Sequence, residues 1–442
     1  MFIKRFCIFL FVLAVSFSCE AQVIVFNSLE DIWKYADTHN ISVLTAKYEL
    51  TKSIYSKKQS YGALLPQINA TGSFTDNISL QTTLIPAQIF GGAAGTYKTL
   101  QFGQQYVYAG GISAQMNILN LQNWFNVQIA KRTEEMNDDS LAATRKTMYQ
   151  QIATQYYSYL LMKEAESLAV RTAGIADSVF QLTENKFNEG TVNEANVDNA
   201  KLNFERAQQS QITAYYQMLT AQNNIKGLLG LTVKDSIRFD ETLQSTMNID
   251  VSATFQEDPS IKLALQKAQI SLSQYKYANS AFAPTINILY SYNDQRYDNS
   301  FEPFTNAKGT TAWFPAQYWG LQAVLPIFTG GSRWYQSKKN KIAYDESLAL
   351  YENSKKQADI NDENLRLNYQ KAAAVLDKAK DVMELSFDNY RHISYRYDAG
   401  VESLDAKLNA FKDYIDYQNQ YLSSLSDMLV QLYQTKIRQQ SF

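Results

Sequence analysis

Two stretches of the chain read almost alike: Ala63 to Phe74, ALLPQINATGSF, and Ala281 to Tyr292, AFAPTINILYSY, which begin 218 positions apart. Each places a proline fourth and then alternates. After Pro66, apolar or small residues fall on Ile68, Ala70, Gly72 and Phe74, with Gln67, Asn69, Thr71 and Ser73 between them. After Pro284 they fall on Ile286, Ile288, Tyr290 and Tyr292 against Asn287, Ser291 and Asn293, with Leu289 the exception. A period of two with unlike faces predicts a strand. Each stretch has a partner run: Tyr106, Tyr108, Ile112, Ala114, Met116 and Ile118 in one half, and Trp319, Leu321, Ala323, Leu325 and Ile327 in the other. Long polar to glycine-rich loops, about Ser79 to Gly103 and Asp298 to Phe314, are expected to join the partners.

Prolines partition the rest. They sit at 66, 86, 259, 284, 303, 315 and 326, so long helices are confined to the proline-free tracts Ala87 to Asp258 and Ile327 to Phe442. From about Leu121 to Asn188 apolar residues recur every three or four positions, as in Ile152, Tyr156, Tyr159 and Leu160. At the helical rise that tract would span about 100 Å. FNEGTVNEANV breaks it at Gly190, and a second helix returns through Leu202, Phe204 and Tyr216 to GLLGL. The second half repeats the plan: GGSRWYQSKKNK opens a helix to about Tyr397, and YDAGVESLDAKLNAF turns it at Gly400. Two shorter helical segments, about Leu29 to Ala63 and Pro259 to Phe282, are long enough to stack end to end on the returning helices. Mildly amphipathic helices of this length need neighbours, so a bundle or cylinder of antiparallel helices is expected. The organisation predicted is a leader at 1–21, a first repeat at 22–230, a connecting segment at 231–257 and a second repeat at 258–442, each repeat being helix, strand, loop, strand, long helix, turn, helix.

The leader sets the compartment. Lys4 and Arg5 precede the apolar run FCIFLFVLAV and the small-residue exit SFSCEAQ, the pattern of a secretory signal peptide, with cleavage expected between Ala21 and Gln22. Lipidation at Cys19 is the alternative, weakened by Ser16 where a lipobox wants an aliphatic residue. Cys7 and Cys19 are the only cysteines, so the exported body carries no thiol chemistry. No later stretch reaches the roughly 18 apolar residues of a membrane-spanning helix. A net charge of −2 offers no basic field for nucleic acid.

Four alternating strands ordinarily mean a half-buried sheet packed on helices. Three observations favour a membrane instead. The strands are expected to be about 9–11 residues, the length that crosses an outer membrane when tilted. Trp124, Trp313, Trp319 and Trp334, four of five tryptophans, flank or cap the strands as interfacial anchors do. The leader also exports the chain. Four strands cannot close a membrane barrel, which takes about eight or more, and an open edge in lipid is prohibitive. The barrel must therefore be shared between copies.

With the ordered set of ALLPQIN and AFAPTIN, the passage LQAVLPIFTGGSRW, and the twin turns KFNEGTVNEANVDNA and RYDAGVESLDAKLNA, the chain after its leader resembles the TolC-like outer-membrane efflux proteins. The resemblance implies an α+β membrane protein: a homotrimer in outer-membrane lipid whose protomers each lend four strands to a shared β-barrel, continuous with a periplasmic α-helical barrel and built on an internal repeat. It implies an exit duct of an efflux or type I secretion system, joined to an inner-membrane pump through a periplasmic adaptor. The turns, Gly190 and Thr191 with Gly400 and Val401, would form the tip that docks the adaptor. Where the family narrows its pore with acidic residues this chain carries Ala406 and Asn409, so the constriction candidates are Glu402, Asp405 and Asn409 with Asn196 and Asn199. Phe74, Ile112, Ile288, Tyr290 and Leu321 are expected to face lipid, and Asn69, Asn287 and Gln115 a watery lumen.

Little points to chemistry. His39 and His392 have no Cys or paired carboxylate at ligand spacing. GGAAG, Gly91 to Gly95, lies in a loop between strands rather than at a strand-to-helix turn. An enzyme, a metal and a cofactor are not expected. The runner-up is a structural coiled-coil envelope protein or adhesin tethered through Cys19, which would not require the strand quartet.

Overall fold

Pro66 and Pro284 stand immediately before the strands β2 (Gln67–Asp76) and β7 (Thr285–Asp298). A residue without an N–H is tolerated there because it precedes the ladder. The computed structural model describes residues 23–241, 243, 255–302 and 312–440. The expected leader lies outside the described residues, as do much of the connecting segment and the middle of the second long loop.

In chain order the elements are β1 (Ile24–Phe26), α1 (Leu29–His39), α2 (Ile41–Gly62), β2, β3 (Thr82–Pro86), β4 (Tyr97–Gln101), β5 (Tyr106–Leu119), α3 (Leu121–Asn188), α4 (Glu194–Leu228), β6 (Ile237–Phe239), α5 (Pro259–Ser280), β7, β8 (Trp313–Val324), α6 (Ser332–Asp398) and α7 (Leu404–Gln439). The described residues fold into two compact units, each drawing on both halves of the sequence: those within Leu50–Asn137 and Ala264–Tyr351, and those within Met1–Glu49, Asp138–Leu263 and Glu352–Phe442.

The first unit holds an antiparallel sheet in the order β2-β5-β7-β8, so β2 and β8 are its free edges. Its strands run 10, 14, 14 and 12 residues, so three of the four exceed the expected 9–11. The extra length is polar: β7 continues through Asn293 to Asp298 because its backbone stays paired with β5 as far as Tyr106. β8 begins earlier than expected, at Trp313, and stops at Val324. Leu325 and Ile327, expected in that strand, lie past its end, where Pro326 has no N–H for the ladder. The first loop, expected to be long and polar to glycine-rich, contains the hairpin of β3 and β4. At the passage into α3, which lacks the Pro and paired Gly of its counterpart, Asn120 makes the turn: its side-chain oxygen accepts from the N–H of Gln122 at 3.1 Å and of Asn123 at 3.4 Å.

In the second unit α1 is amphipathic and capped by Ser28, whose hydroxyl accepts from the Asp31 N–H. It buries Leu29, Ile32, Trp33 and Ala36. The single helix expected from Leu29 to Ala63 is two. Asn40 leaves the helix with ψ 126°, receives the N–H groups of Ser42 and Val43 on its side-chain oxygen and donates its amide to the Leu228 carbonyl at 2.7 Å. An unforeseen parallel pairing of β1 with β6 lies beside it. The abundant tyrosines fill this core. Trp33 stacks on Tyr149 at 4.8 Å, Tyr156 meets Tyr157 and Phe239 edge to face, and Tyr157 lies tilted against Tyr433 at 5.2 Å. Their hydroxyls are satisfied: Tyr149 donates to Asp37 at 2.7 Å and Tyr156 to Glu241 at 2.8 Å. Burial, reinforced by these carboxylates, pushes both phenols above their ordinary pKa.

Candidate functional site

Strand register decides which side chains share a face. Ile68, Ala114, Tyr290 and Trp319 form one cross-strand row, Ala70, Ile112 and Tyr292 another, and Met116, Ile288 and Leu321 a third, all on one face with Phe74 and Tyr108. All five residues expected to face lipid lie on that side. The opposite face carries Asn69, Thr71, Ser113, Gln115, Asn287 and Ser291. A concavity of about 430 Å³ opens there, lined by Thr71, Ser73, Ser113, Ser291, Asn293 and Tyr318 among others. Much of the apolar face is exposed among the described residues: Trp319 is 71 % exposed and Leu321 61 %.

At the far end of the apolar face the character changes. Arg296 and Asp298 pair at 2.6 Å, the guanidinium lying over the Tyr108 ring at 5.5 Å. Trp313 sits in this row, opposite Arg296, whereas Trp124 and Trp334 are exposed near the starts of α3 and α6. Trp319 stands in the middle of β8 rather than at a rim.

The two helix reversals are built alike. Gly190 has φ 72° and Gly400 φ 75°, the left-handed conformation open mainly to glycine. The Thr191 N–H reaches back to the Lys186 carbonyl at 2.9 Å and the Val401 N–H to that of Arg396 at 2.8 Å, closing a Schellman turn each time. Three residues past each glycine the side chains of Asn193 and Ser403 cap the returning helices. Ten past, Ala200 and Ala410 are buried. Ten before and fourteen after, Phe180 stacks on Phe204 at 6.0 Å and Tyr390 on Tyr414 at 6.2 Å.

Between the turns runs a link that the sequence did not announce. The Lys186 ammonium donates to the Tyr397 hydroxyl at 3.1 Å and lies 5.0 Å from its ring centre, while Lys407 approaches the same ring at 4.8 Å. Lys407 also pairs with Asp398 at 3.2 Å. The signal available was the position of Lys186 and Tyr397 within four residues of each turn glycine. Above the link, α3, α4, α6 and α7 enclose a groove of about 490 Å³ walled by Ile175, Val179, Leu182 and Phe411, with Arg206 and Lys412 among its polar residues.

The constriction candidates are not equivalent. Glu402 is engaged by Arg396 at 3.1 Å, and Asp405 is exposed in the first turn of α7. Asn409 is exposed and lines the groove, Asn199 is exposed, and the Asn196 N–H is spent on the Asn193 cap. Elsewhere His39 stacks on Tyr35. Among the described residues no group of three or more His, Cys, Asp and Glu side chains is placed to hold a metal, and no helix is long and apolar enough to cross a membrane.

Comparison with known proteins agrees with this architecture. The chain is 22 % identical over 411 residues to the outer membrane protein TolC of Vibrio cholerae, covering 88 % of each chain. Its fold is similar to the CmeC outer membrane channel of Campylobacter jejuni, with a TM-score of 0.73 at 17 % identity over 93 % of this chain and 85 % of that one. It is also similar to the outer membrane protein VceC of Vibrio cholerae, with a TM-score of 0.74 at 16 % identity over 92 % and 95 %. The pattern of the family described as outer membrane efflux protein matches residues 36–231 and 251–434, nearly the whole chain, and the protein belongs to that family.

Proposed function

We propose that three copies of the chain form an outer-membrane exit duct with a periplasmic extension, which passively conducts substrates handed over by an inner-membrane pump through a periplasmic adaptor. The observation that carries this reading is the sheet: large apolar side chains exposed on one face, small and polar ones around a concavity on the other, and a free edge at each side. In water such a face would be covered; in lipid it is the favourable one, and the free edges require pairing with further copies. A second support lies on α6, where Ile360, Leu367, Val375 and Val382 recur at steps of seven or eight residues and are each more than 40 % exposed. A stripe of that period on a long helix is a seam for a neighbouring helix.

The tip acts as docking site and gate in this reading. The Gly190 and Gly400 turns, with Thr191 and Val401, meet the adaptor. The link through Lys186, Tyr397 and Lys407 ties the two hairpins of one protomer and holds the narrow state. Asp405, with Asn409, Asn196 and Asn199 nearby, contributes the polar ring of the constriction, whereas Arg396 neutralises Glu402. Purified protein in planar bilayers should give discrete single-channel currents and run as a heat-modifiable trimer. A folded protein that gives no conductance would instead favour the structural envelope protein.

A further inference from the structure

The first long loop carries an ordered structure for which the duct has no evident need. Asn77 to Gln105 contains one charged residue, Lys98. Its base is pinned: the Asn77 N–H reaches the Gln105 carbonyl at 2.7 Å and its side-chain amide that of Gln104 at 3.0 Å. β3 and β4 then form a separate two-stranded sheet. At its tip the Ala87 N–H meets the Thr96 carbonyl, the Gly92 N–H folds back on Ala87, and Gly91 and Gly95 take φ 78° and 83°. This scaffold exposes large apolar side chains beside threonines, Gln88 and Lys98, whose ammonium lies 5.5 Å from the centre of the Phe90 ring. Register puts Leu84, Pro86 and Tyr97 on one face, and Leu84 and Tyr97 are 64 % and 68 % exposed, Ile89 and Phe90 at the tip 70 % and 56 %.

An isolated two-stranded hairpin is marginal in water and gains stability by packing a face against something. Pro86 blunts the β3 edge against strand addition. A headgroup surface is a poor partner as well, because lipid headgroups attract clustered basic residues and this loop has one. The hairpin grows from the end of β2, a free edge of the sheet, and so from the seam at which the next copy joins. From that continuity, together with the near absence of charge, we propose that the three hairpins of the assembled duct meet one another through Leu84, Ile89, Phe90 and Tyr97 and form an apolar constriction over its outer mouth, a second narrowing besides the tip. The proposal rests on the trimeric duct reading.

The exported body has no cysteine, so Phe90→Cys or Ile89→Cys introduces a single thiol. In purified detergent-solubilised trimers, mild oxidation should yield a reducible two-subunit band on denaturing gels. In planar bilayers the oxidised duct should conduct at least twofold less than after reductant, and replacing residues 79–103 by a short Gly-Ser turn should raise the conductance of the outer mouth at least twofold. Thiols that react fully with a water-soluble maleimide added outside cells, yet form no inter-subunit disulfide in either variant, would overturn the proposal, as would a deletion that leaves conductance unchanged. Wild-type protein that forms neither trimer nor channel would defeat the duct reading itself.

Discussion

At the residue scale the most informative positions are those where the backbone or the solvent permits few alternatives. Gly400 is one. An L side chain in its left-handed conformation costs about 1–2 kcal/mol, and a Cβ there meets no atom within 4 Å, so strain alone is at issue. Gly400→Leu should leave trimer assembly intact while efflux from intact cells falls to the level of a deletion strain; undiminished efflux would mean that the turn only caps a helix. Ile112 and Ser113 are neighbours on opposite faces in the middle of β5. An arginine on the lipid side near the midplane costs about 2–4 kcal/mol. Ile112→Arg should therefore deplete heat-modifiable trimer in the outer membrane, with Ser113→Arg far milder, and equal defects would refute the face assignment. The glycines and the alternation were legible in the sequence because both are local. The partner of Glu402 was not, because an ion pair depends on which side chains the turn brings within reach.

At the element scale the second unit depends on a polar knot joining α3, the start of α5, α6 and α7. Asp258 receives Lys146 and lies 3.6 Å from Arg438, which grips Asp362 with two bonds of 2.7 and 2.8 Å and donates to the Gln256 carbonyl. Phe255 is within 5.2 Å of Arg438 and 5.0 Å of Arg366. Burial alone would raise the Asp258 pKa, but the bonds from Lys146 and Ser260 outweigh it and hold the carboxyl below its ordinary value. A depressed folded-state pKa means stability that is complete above the unfolded pKa of about 3.9 and is lost as pH falls through the folded value. Asp258→Asn should remove that acid-limb dependence and lower stability at neutral pH by about 3 kcal/mol, since it leaves the half-buried Lys146 without its carboxylate while Arg438 keeps Asp362. Acid and thermal unfolding by near-ultraviolet circular dichroism would measure it; an unchanged acid limb would assign the dependence to other carboxylates. None of these contacts has a sequence period, because the partners lie up to 183 positions apart, as Phe255 and Arg438 do.

At the scale of the whole molecule, properties appear that one chain does not possess. A single Asp405 is a solvated residue in the first turn of a helix; three around a symmetry axis would repel one another and attract cations. Asp405→Asn should thus reduce cation selectivity, read as a shift of reversal potential toward zero in asymmetric salt. Glu402→Gln should change it much less, because Arg396 already balances that charge. Equal shifts from the two variants would show that the Arg396 pair does not persist in the assembled duct.

The sequence by itself determined the repeated plan of strands and long helices, the two glycine turns and the two unlike faces of the sheet. These follow from properties expressed over a few residues: the missing N–H of proline, the positive φ of glycine, and periods of two or between three and four. Tertiary structure alone decided that Asn40 divides a helix by donating to the Leu228 carbonyl, that Tyr397 lies between Lys186 and Lys407, and that part of a glycine-rich loop forms a hairpin. In the first two the outcome depends on groups far apart in sequence whose pairing energy exists only once packing brings them together. In the hairpin, backbone pairing across the tip outweighs the weak strand preference of its residues.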